Sequence, residues 1–384
     1  MKRDLVAIGD LSDRDIMQLL ALADQISSDM RSYAHVLDGA LLATLFLEPS
    51  TRTRLSFEAA MLRLGGRVIT SSDAKTSSAS KGETLADSIR MVSAYSDAIV
   101  LRHPHAGAAR LAARLSTGPV INAGDGGHEH PTQTLVDLFT LRREKGHLEG
   151  LFVVLYGDLR FGRTTHSLAR ALVRFGASVL ALSEPGLNLP KYVVEGVRGT
   201  GAGVGEVEVA GLEALVGSRL RGTLLLPPGL GATPSTLTLL ADQVDAIYVT
   251  RLQRERLPRG AGEIRALPLI DRVFLEAAPF RRAVVLHPLP RVDEINRNLD
   301  DDPRAAYFRQ AAGGVPVRMA LLGTLLGAFP ALEAASAGLA LAPETAVCAE
   351  PACIAATEPQ AVPPEWFRGV DGGLICAWCE HAAT

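Results

Sequence analysis

The first 347 of the 384 residues contain no cysteine and no tryptophan, so no disulfide staples that part of the chain. Aromatic residues are scarce, at 5%. Neither charge sign dominates, with 39 Lys and Arg against 42 Asp and Glu, which gives no footing for a nucleic-acid or polyanion binder. No stretch of about 18 uncharged apolar residues occurs, because Arg, Asp, Gly or Pro breaks the richest segments. The opening MKRDLVAIGDLSDRD lacks the apolar run of roughly 7–15 residues that a signal peptide needs. These absences together point to a cytoplasmic protein. No period of about 20–50 residues is visible, which argues against a solenoid.

What is present is a large apolar fraction, 47%, enough for a sizeable core and incompatible with disorder. The length suggests two or three domains at about 100–200 residues each. Short runs rich in Val, Ile and Leu read as fully buried strands at 41–47, 97–101, 119–122, 151–156, 178–182, 246–249 and 283–286. Helical patterns lie between them, at 54–64, 84–94, 133–145, 166–175 and 318–326. Such alternation predicts an α/β protein of two parallel-sheet, three-layer domains. The expected boundaries are 1–135 and 136–290, with 291–329 as closing helices packing back on the first domain. Residues 330–345 read as an Ala, Pro and Gly linker, and 346–384 as a small C-terminal module. Residues 199–240 are less regular and Gly- and Pro-broken; within them 199–205 reads as a surface loop, since no Lys-Ser/Thr pair supports a phosphate loop in GTGAGVG.

Six strand candidates end in polar clusters, and open α/β sheets bind ligands at the carboxyl ends of their strands. Ser50, Thr51, Arg52 and Thr53 sit where a helix should begin. Free N–H groups there, with hydroxyls and a guanidinium fork, suit one phosphate-sized anion; an N-cap serine among surface arginines is the plainer alternative. Arg102 and His130 follow two further strands. His130 with Gln133 reads as a pair of donors for a carbonyl, whereas His128-x-His130 lacks an evident third metal ligand. From the second half, Arg163, Arg251 and Gln253 suit a dicarboxylate if they face a pocket. Ser77–Thr84 is small and polar and carries Lys81, which suits a loop able to close on an anion.

In the tail, Cys348-x4-Cys353 and, 22 residues on, Cys376-x2-Cys379 form two close pairs, and both tryptophans, Trp366 and Trp378, lie in the same stretch. A reducing compartment disfavours disulfides, and four thiolates in two pairs suit a closed, structural tetrahedral Zn²⁺ site, with unliganded thiols as the alternative. A module of about 40 residues also needs such a staple.

The chain from about 5 to 328 resembles the catalytic chain of aspartate carbamoyltransferase. The strings that carry the resemblance are FLEPSTRTRLSFEAAMLRLGG, SKGETLADS, DAIVLRHPHAGAARLA, NAGDGGHEHPTQTLVDLFT, YGDLRFGRTTHSLARAL, YVTRLQRERL and VLHPLPRVDEI. The resemblance implies that Ser50, Thr51, Arg52 and Thr53 bind the phosphate of carbamoyl phosphate. It implies that Arg102, His130 and Gln133, with Thr53, hold its carbonyl and amino ends. Arg163, Arg251 and Gln253 would hold the carboxylates of L-aspartate, and the carbonyls of Leu289 and Pro290 would accept from the carbamoyl amino group. Ser77 and Lys81 would enter from a neighbouring subunit of a homotrimer. No organic cofactor is implied. The related ornithine enzyme is expected to carry a cysteine in the segment where this chain has His287-Pro288-Leu289-Pro290, so Pro288 favours aspartate as acceptor. Residues 199–240 look some twenty residues longer than the family stretch. The tail, CAEPACIAATE…LICAWCE, resembles the zinc domain of that enzyme's separate regulatory chain, which implies Zn²⁺ on Cys348, Cys353, Cys376 and Cys379 and a role in pairing trimers. The preceding nucleotide-binding domain of that chain has no counterpart here.

Overall fold

The structure, a computed structural model, describes residues 2–72, 82–212, 215, 220–230, 233–257, 267–333, 341–344, 346–369 and 372–382. The fold divides into two compact units, Met1–Leu135 with Gly313–Thr384, and Val136–Ala312.

In the first unit, α1 (Asp13–Ser28) opens with a reciprocal cap: Asp15 N donates to Ser12 Oγ at 3.1 Å and Ser12 N donates to Asp15 Oδ2 at 3.0 Å. Strands β1 (Leu41–Phe46), β2 (Arg67–Ser71), β3 (Ala98–His103) and β4 (Val120–Asp125) form one sheet in the order β2-β1-β3-β4, parallel throughout. Strands β1, β3 and β4 are buried along nearly their whole length, as apolar runs covered on both faces must be. Helices α2 (Thr51–Arg63), α3 (Leu85–Ser93) and α4 (Ala108–Leu115) follow β1, β2 and β3. Because β1 lies between β2 and β3, the connections leaving β1 and β3 run to opposite sides. That reversal opens a crevice at the carboxyl ends of β1 and β3.

Helix α5 (Pro131–Lys145) leads into the second unit. There β5 (Phe152–Gly157), α6 (Arg163–Arg174), β6 (Ser178–Leu182), α7 (Lys191–Arg198), β7 (Ala202–Ala210), β8 (Leu220–Pro228), β9 (Thr236–Thr238), β10 (Ala246–Thr250), α8 (Arg272–Glu276) and β11 (Val284–Leu286) give a seven-stranded sheet of order β11-β10-β5-β6-β8-β7-β9. Strands β11, β10, β5 and β6 are parallel, and the crevice now lies between β5 and β10. The sheet continues through β8, antiparallel to both β6 and β7. Residues 202–205 of the surface loop expected at 199–205 are therefore the start of β7. The reason is visible in Glu206-Val207-Glu208-Val209: Val207 and Val209 are buried while Glu206 is exposed, a period of two. Thr223 Oγ1 on β8 donates to Glu206 Oε1 at 2.7 Å.

Among the described residues the closing segment holds one long helix, α9 (Tyr307–Leu325), beginning well before the expected 318. The tail contains a short turn of helix, α10 (Ile354–Thr357), and an antiparallel hairpin of β12 (Trp366–Arg368) and β13 (Leu374–Cys376). It does not stand apart. Ile354, Val362, Trp366, Trp378 and the four cysteines share one apolar core with Leu85, Ile89, Leu101, Ala106, Ala108 and Leu111. No helix among the described residues is long and apolar enough to cross a membrane.

Candidate active site and metal centre

At the first crevice, Ser50 sits in an extended conformation at the head of α2 but makes no capping bond to the helix. Its hydroxyl instead donates to Thr53 Oγ1 at 3.0 Å. The N–H groups at the start of α2 thus escape the usual serine cap, the arrangement an anion site requires. Thr51 and Arg52 are exposed and Thr53 is buried.

Arg102, at the end of β3, is fixed by both neighbouring strands. It donates from Nη2 to Glu48 Oε1 at 2.7 Å, beyond β1, and from Nη1 to the Ala123 carbonyl of β4 at 3.1 Å. His130 is buried, with Nδ1 3.3 Å from Thr132 Oγ1, and Gln133 N donates to the His130 carbonyl at 3.0 Å. The segment carrying His130 hangs on Asp125, which accepts from Asn122 Nδ2 and Gly107 N, each at 2.8 Å, and from Glu129 N at 3.2 Å. These contacts bring Ser50, Thr53, Arg102 and His130 to one edge of one sheet.

Asp125 also faces His128, whose Nδ1 lies 3.4 Å from Oδ2; on the far side His128 Nε2 is 3.7 Å from Glu380 Oε2. Burial would push the His128 pKa down, but the pull of Asp125, joined by Glu380, outweighs it and raises the pKa to about 10. His103 goes the other way: burial and neighbouring His105 lower it to about 4 against the opposing charges of Asp125 and Glu48.

In the second unit the expected residues follow β5 and β10, on either side of its crevice. Arg163 opens α6 and is buried; Arg251 forms an ion pair with Glu255; Gln253 N donates to Asp158 Oδ2 at 3.0 Å. Asp158 joins the two loops, since it also accepts from Phe161 N at 3.0 Å; burial raises its pKa despite those donors. A cavity of about 230 Å³ opens here, lined by Tyr156 and Thr250 and by the carboxylates of Asp158, Glu184, Asp293 and Glu294. After β11, Leu289 N donates to His287 Nδ1 at 2.7 Å and His287 Nε2 lies 2.7 Å from Glu294 Oε1. Leu289 has φ 56° and the Leu289–Pro290 peptide is cis. Ser77 and Lys81 lie outside the described residues.

Glu48, Asp125 and Asp158 lie in the polar clusters the sequence shows after the strands, but sequence reasoning gave them no role; in the structure they hold Arg102, the His130 segment and the backbone of Gln253. Asp125 and Asp158 hold local partners three or four residues away, but their contacts to Gly107 and Gln253, like that of Glu48 to Arg102, depend on strand order.

In the tail, Cys348 Sγ is 3.6 Å from Cys379 Sγ and Cys353 Sγ is 3.9 Å from Cys376 Sγ; all four sulfurs are buried and lie within 4.8 Å of one another. A disulfide would need about 2.05 Å. Four thiolates on a tetrahedral ion with metal–sulfur bonds of about 2.3 Å would stand about 3.8 Å apart, so the donor set fits such an ion and could bind one. Trp378 Nε1 donates to the Pro363 carbonyl at 2.9 Å and Trp366 Nε1 to that of Ala346 at 2.7 Å, which satisfies both buried indoles beside the cluster.

Residues 3–143 match the family described as aspartate/ornithine carbamoyltransferase, carbamoyl-P binding domain, and residues 233–325 its Asp/Orn binding domain. The aspartate carbamoyltransferase catalytic subunit of Thermococcus onnurineus is 45% identical over 331 residues, 85% of this chain and 97% of that one. That of Clostridium novyi is 46% identical over 330 residues, 85% and 98%. Among solved structures, the catalytic subunit from M. jannaschii superposes with a TM-score of 0.68 at 40% identity, covering 85% of this chain and 98% of that one. The Trypanosoma cruzi aspartate transcarbamoylase with carbamoyl phosphate and aspartate gives 0.70 at 34%, covering 84% and 96%. The family matches stop at 325, before the first cysteine. The chain belongs to the family of aspartate carbamoyltransferase catalytic subunits.

Proposed function

We propose that the protein transfers the carbamoyl group of carbamoyl phosphate to the amine of L-aspartate, giving N-carbamoyl-L-aspartate and phosphate in pyrimidine biosynthesis. The observation that carries this reading is the match to catalytic subunits over 97% of their length, with a solved relative whose complex contains both substrates.

In this reading Ser50, Thr51, Arg52 and Thr53 bind the phosphate at the head of α2, and Arg102, His130 and Gln133 hold the carbonyl. Arg163, Arg251 and Gln253 take the carboxylates of aspartate, and the carbonyls of Leu289 and Pro290 accept from the carbamoyl amino group. The aspartate amine attacks the carbonyl carbon, a C–N bond forms, the C–O bond to phosphate breaks, and the leaving phosphate takes the amine proton. Arg52, Thr53, Arg102 and His130 stabilise the charge that develops on the carbonyl oxygen and the departing phosphate.

The active unit is a homotrimer in which Ser77 and Lys81 reach a neighbouring site, working in the cytoplasm, where thiols stay reduced. Residues 346–384 form a zinc-binding domain like that of the regulatory chain, with Zn²⁺ on Cys348, Cys353, Cys376 and Cys379. With four thiolates the ion has no open position, so it supplies folding energy and no chemistry. The domain favours pairing of trimers without a nucleotide effector site. Residues 1–135 serve as the carbamoyl-phosphate domain and 136–290 as the aspartate domain; 291–329 closes the fold and 330–345 links it to the zinc domain.

The carboxylates of the second-unit cavity would also suit a cationic acceptor, which makes L-ornithine the control substrate. Turnover with L-aspartate and none with L-ornithine is the expected result; the reverse preference would overturn the assignment.

A further inference from the structure

The tail touches three segments of the catalytic half, and two of them lead from or into a residue of the proposed carbamoyl-phosphate site. The first is the loop after Arg102. Ala106 N donates to the Ala352 carbonyl at 2.8 Å and Ile354 N donates to the Ala106 carbonyl at 2.9 Å, so the tail adds a backbone rung to that loop. Gly107 beside it has φ 85°, and a Cβ there would stand 2.8 Å from the Trp378 carbonyl oxygen, an approach only glycine allows. The second is the segment before His130. The buried imidazole of His128 has a carboxylate at each nitrogen, Asp125 of the catalytic half at 3.4 Å and Glu380 of the tail at 3.7 Å. Arg110 of α4 lies 3.7 Å from the other Glu380 oxygen. The third is the head of α3, where Leu85 N donates to the Glu358 carboxylate at 3.2 Å.

We infer that the tail is a positioning element of the carbamoyl-phosphate site, acting through Glu380 on His128 and Asp125 and through residues 352–354 on the loop that follows Arg102. The inference rests on the carbamoyl-transfer reading and deepens it. Asp125 is the hinge. It accepts from Gly107 of the first loop and Glu129 of the second, so a shift of either loop is felt by the other. His128 is 3% exposed, and Glu380→Gln removes the carboxylate charge that lies 3.7 Å from its second nitrogen. The relaxation open to it is movement of residues 125–130, which displaces His130. Misplacement by about 1 Å is enough to cost large factors in binding or rate. Glu380 and His128 touch no substrate atom in this account; they act through His130 and Arg102.

The test uses the full-length, metal-loaded protein. Glu380→Gln and His128→Asn are compared with wild type for metal content, particle mass, the Kd of carbamoyl phosphate by calorimetry, and kcat and KM for both substrates. Arg368→Ala, at an exposed tail position whose side chain donates to the Gly372 carbonyl at 3.1 Å, is the control. The inference expects both variants to keep one metal per chain and wild-type mass while the Kd and KM of carbamoyl phosphate rise about tenfold and kcat falls as well, by less than the loss of Arg102 itself. If Glu380→Gln sheds its metal, His128→Asn decides, because His128 lies in the catalytic half. Wild-type carbamoyl-phosphate affinity in metal-loaded His128→Asn would overturn the inference. A wild-type protein with no turnover on L-aspartate would instead overturn the functional reading on which it rests.

Discussion

Arg102 and Glu48 meet at 2.7 Å although 54 residues separate them, and the pair is mostly buried, with side-chain exposures of 12% and 17%. The contact fixes the guanidinium between the ends of β1 and β3, at the crevice made by the strand order. A free surface pair would contribute little, whereas here the carboxylate sets where the fork points.

Removal of an oxyanion donor costs about 3–4 kcal/mol of barrier. Arg102→Ala and Arg52→Ala are therefore expected to lose at least about a hundredfold in kcat. Glu48→Gln keeps the shape but weakens the aim and should lose about tenfold. Steady-state kinetics of the three variants checks this, and near-normal turnover in both arginine variants would remove these residues from the site.

Arg251→Ala and Arg163→Ala should raise the KM of L-aspartate by about tenfold or more and leave carbamoyl-phosphate binding within about twofold, because both residues stand on the second unit's crevice. Calorimetry with each substrate separates the two effects.

The two histidines that face Asp125 predict opposite limbs in a stability profile. His103, held at about 4 when folded, is protonated first in the unfolded chain, so stability is lost as pH falls from about 6.5 towards 4. His128 keeps its proton to about 10, so its contribution is complete below about 6.5 and is lost as pH rises towards 10. Thermal unfolding from pH 4 to 10 should peak near the middle of this range, and His128→Asn should flatten the alkaline limb.

Chelation or Cys376→Ser should lower Tm by at least about 5 °C, since the cysteines belong to the same core as Leu101 and Ala106. Fluorescence should shift to the red as buried Trp378 is exposed, with tryptophan confined to the tail. Light scattering should show smaller particles if the domain pairs trimers, and CTP or ATP should leave activity unchanged.

The candidate site groups were legible in the sequence because each follows a strand of buried apolar residues: Ser50–Thr53 after β1, Arg102 at the end of β3, Arg251 after β10. The switch points at which they sit depend on strand order, which no local pattern encodes. The bonds of Glu48 to Arg102, Asp125 to Gly107 and Asp158 to Gln253 had no local signal for the same reason. In β7 the alternation of Glu206, Val207, Glu208 and Val209 was readable, but the glycines at 199, 201, 203 and 205 weaken the local preference and mask it. The cysteine spacing announced a four-thiolate cluster. That the cluster's domain would bury Ile354 and Trp378 against Ala106 and Gly107 depends on long-range packing and had no signal in the residues themselves.

Carbamoyl transfer to aspartate is tested most directly by a single assay of the purified protein with carbamoyl phosphate and either L-aspartate or L-ornithine. N-carbamoyl-L-aspartate and phosphate in equal amounts are expected with the first and no product with the second. Product from L-ornithine, or from neither amino acid, would contradict it.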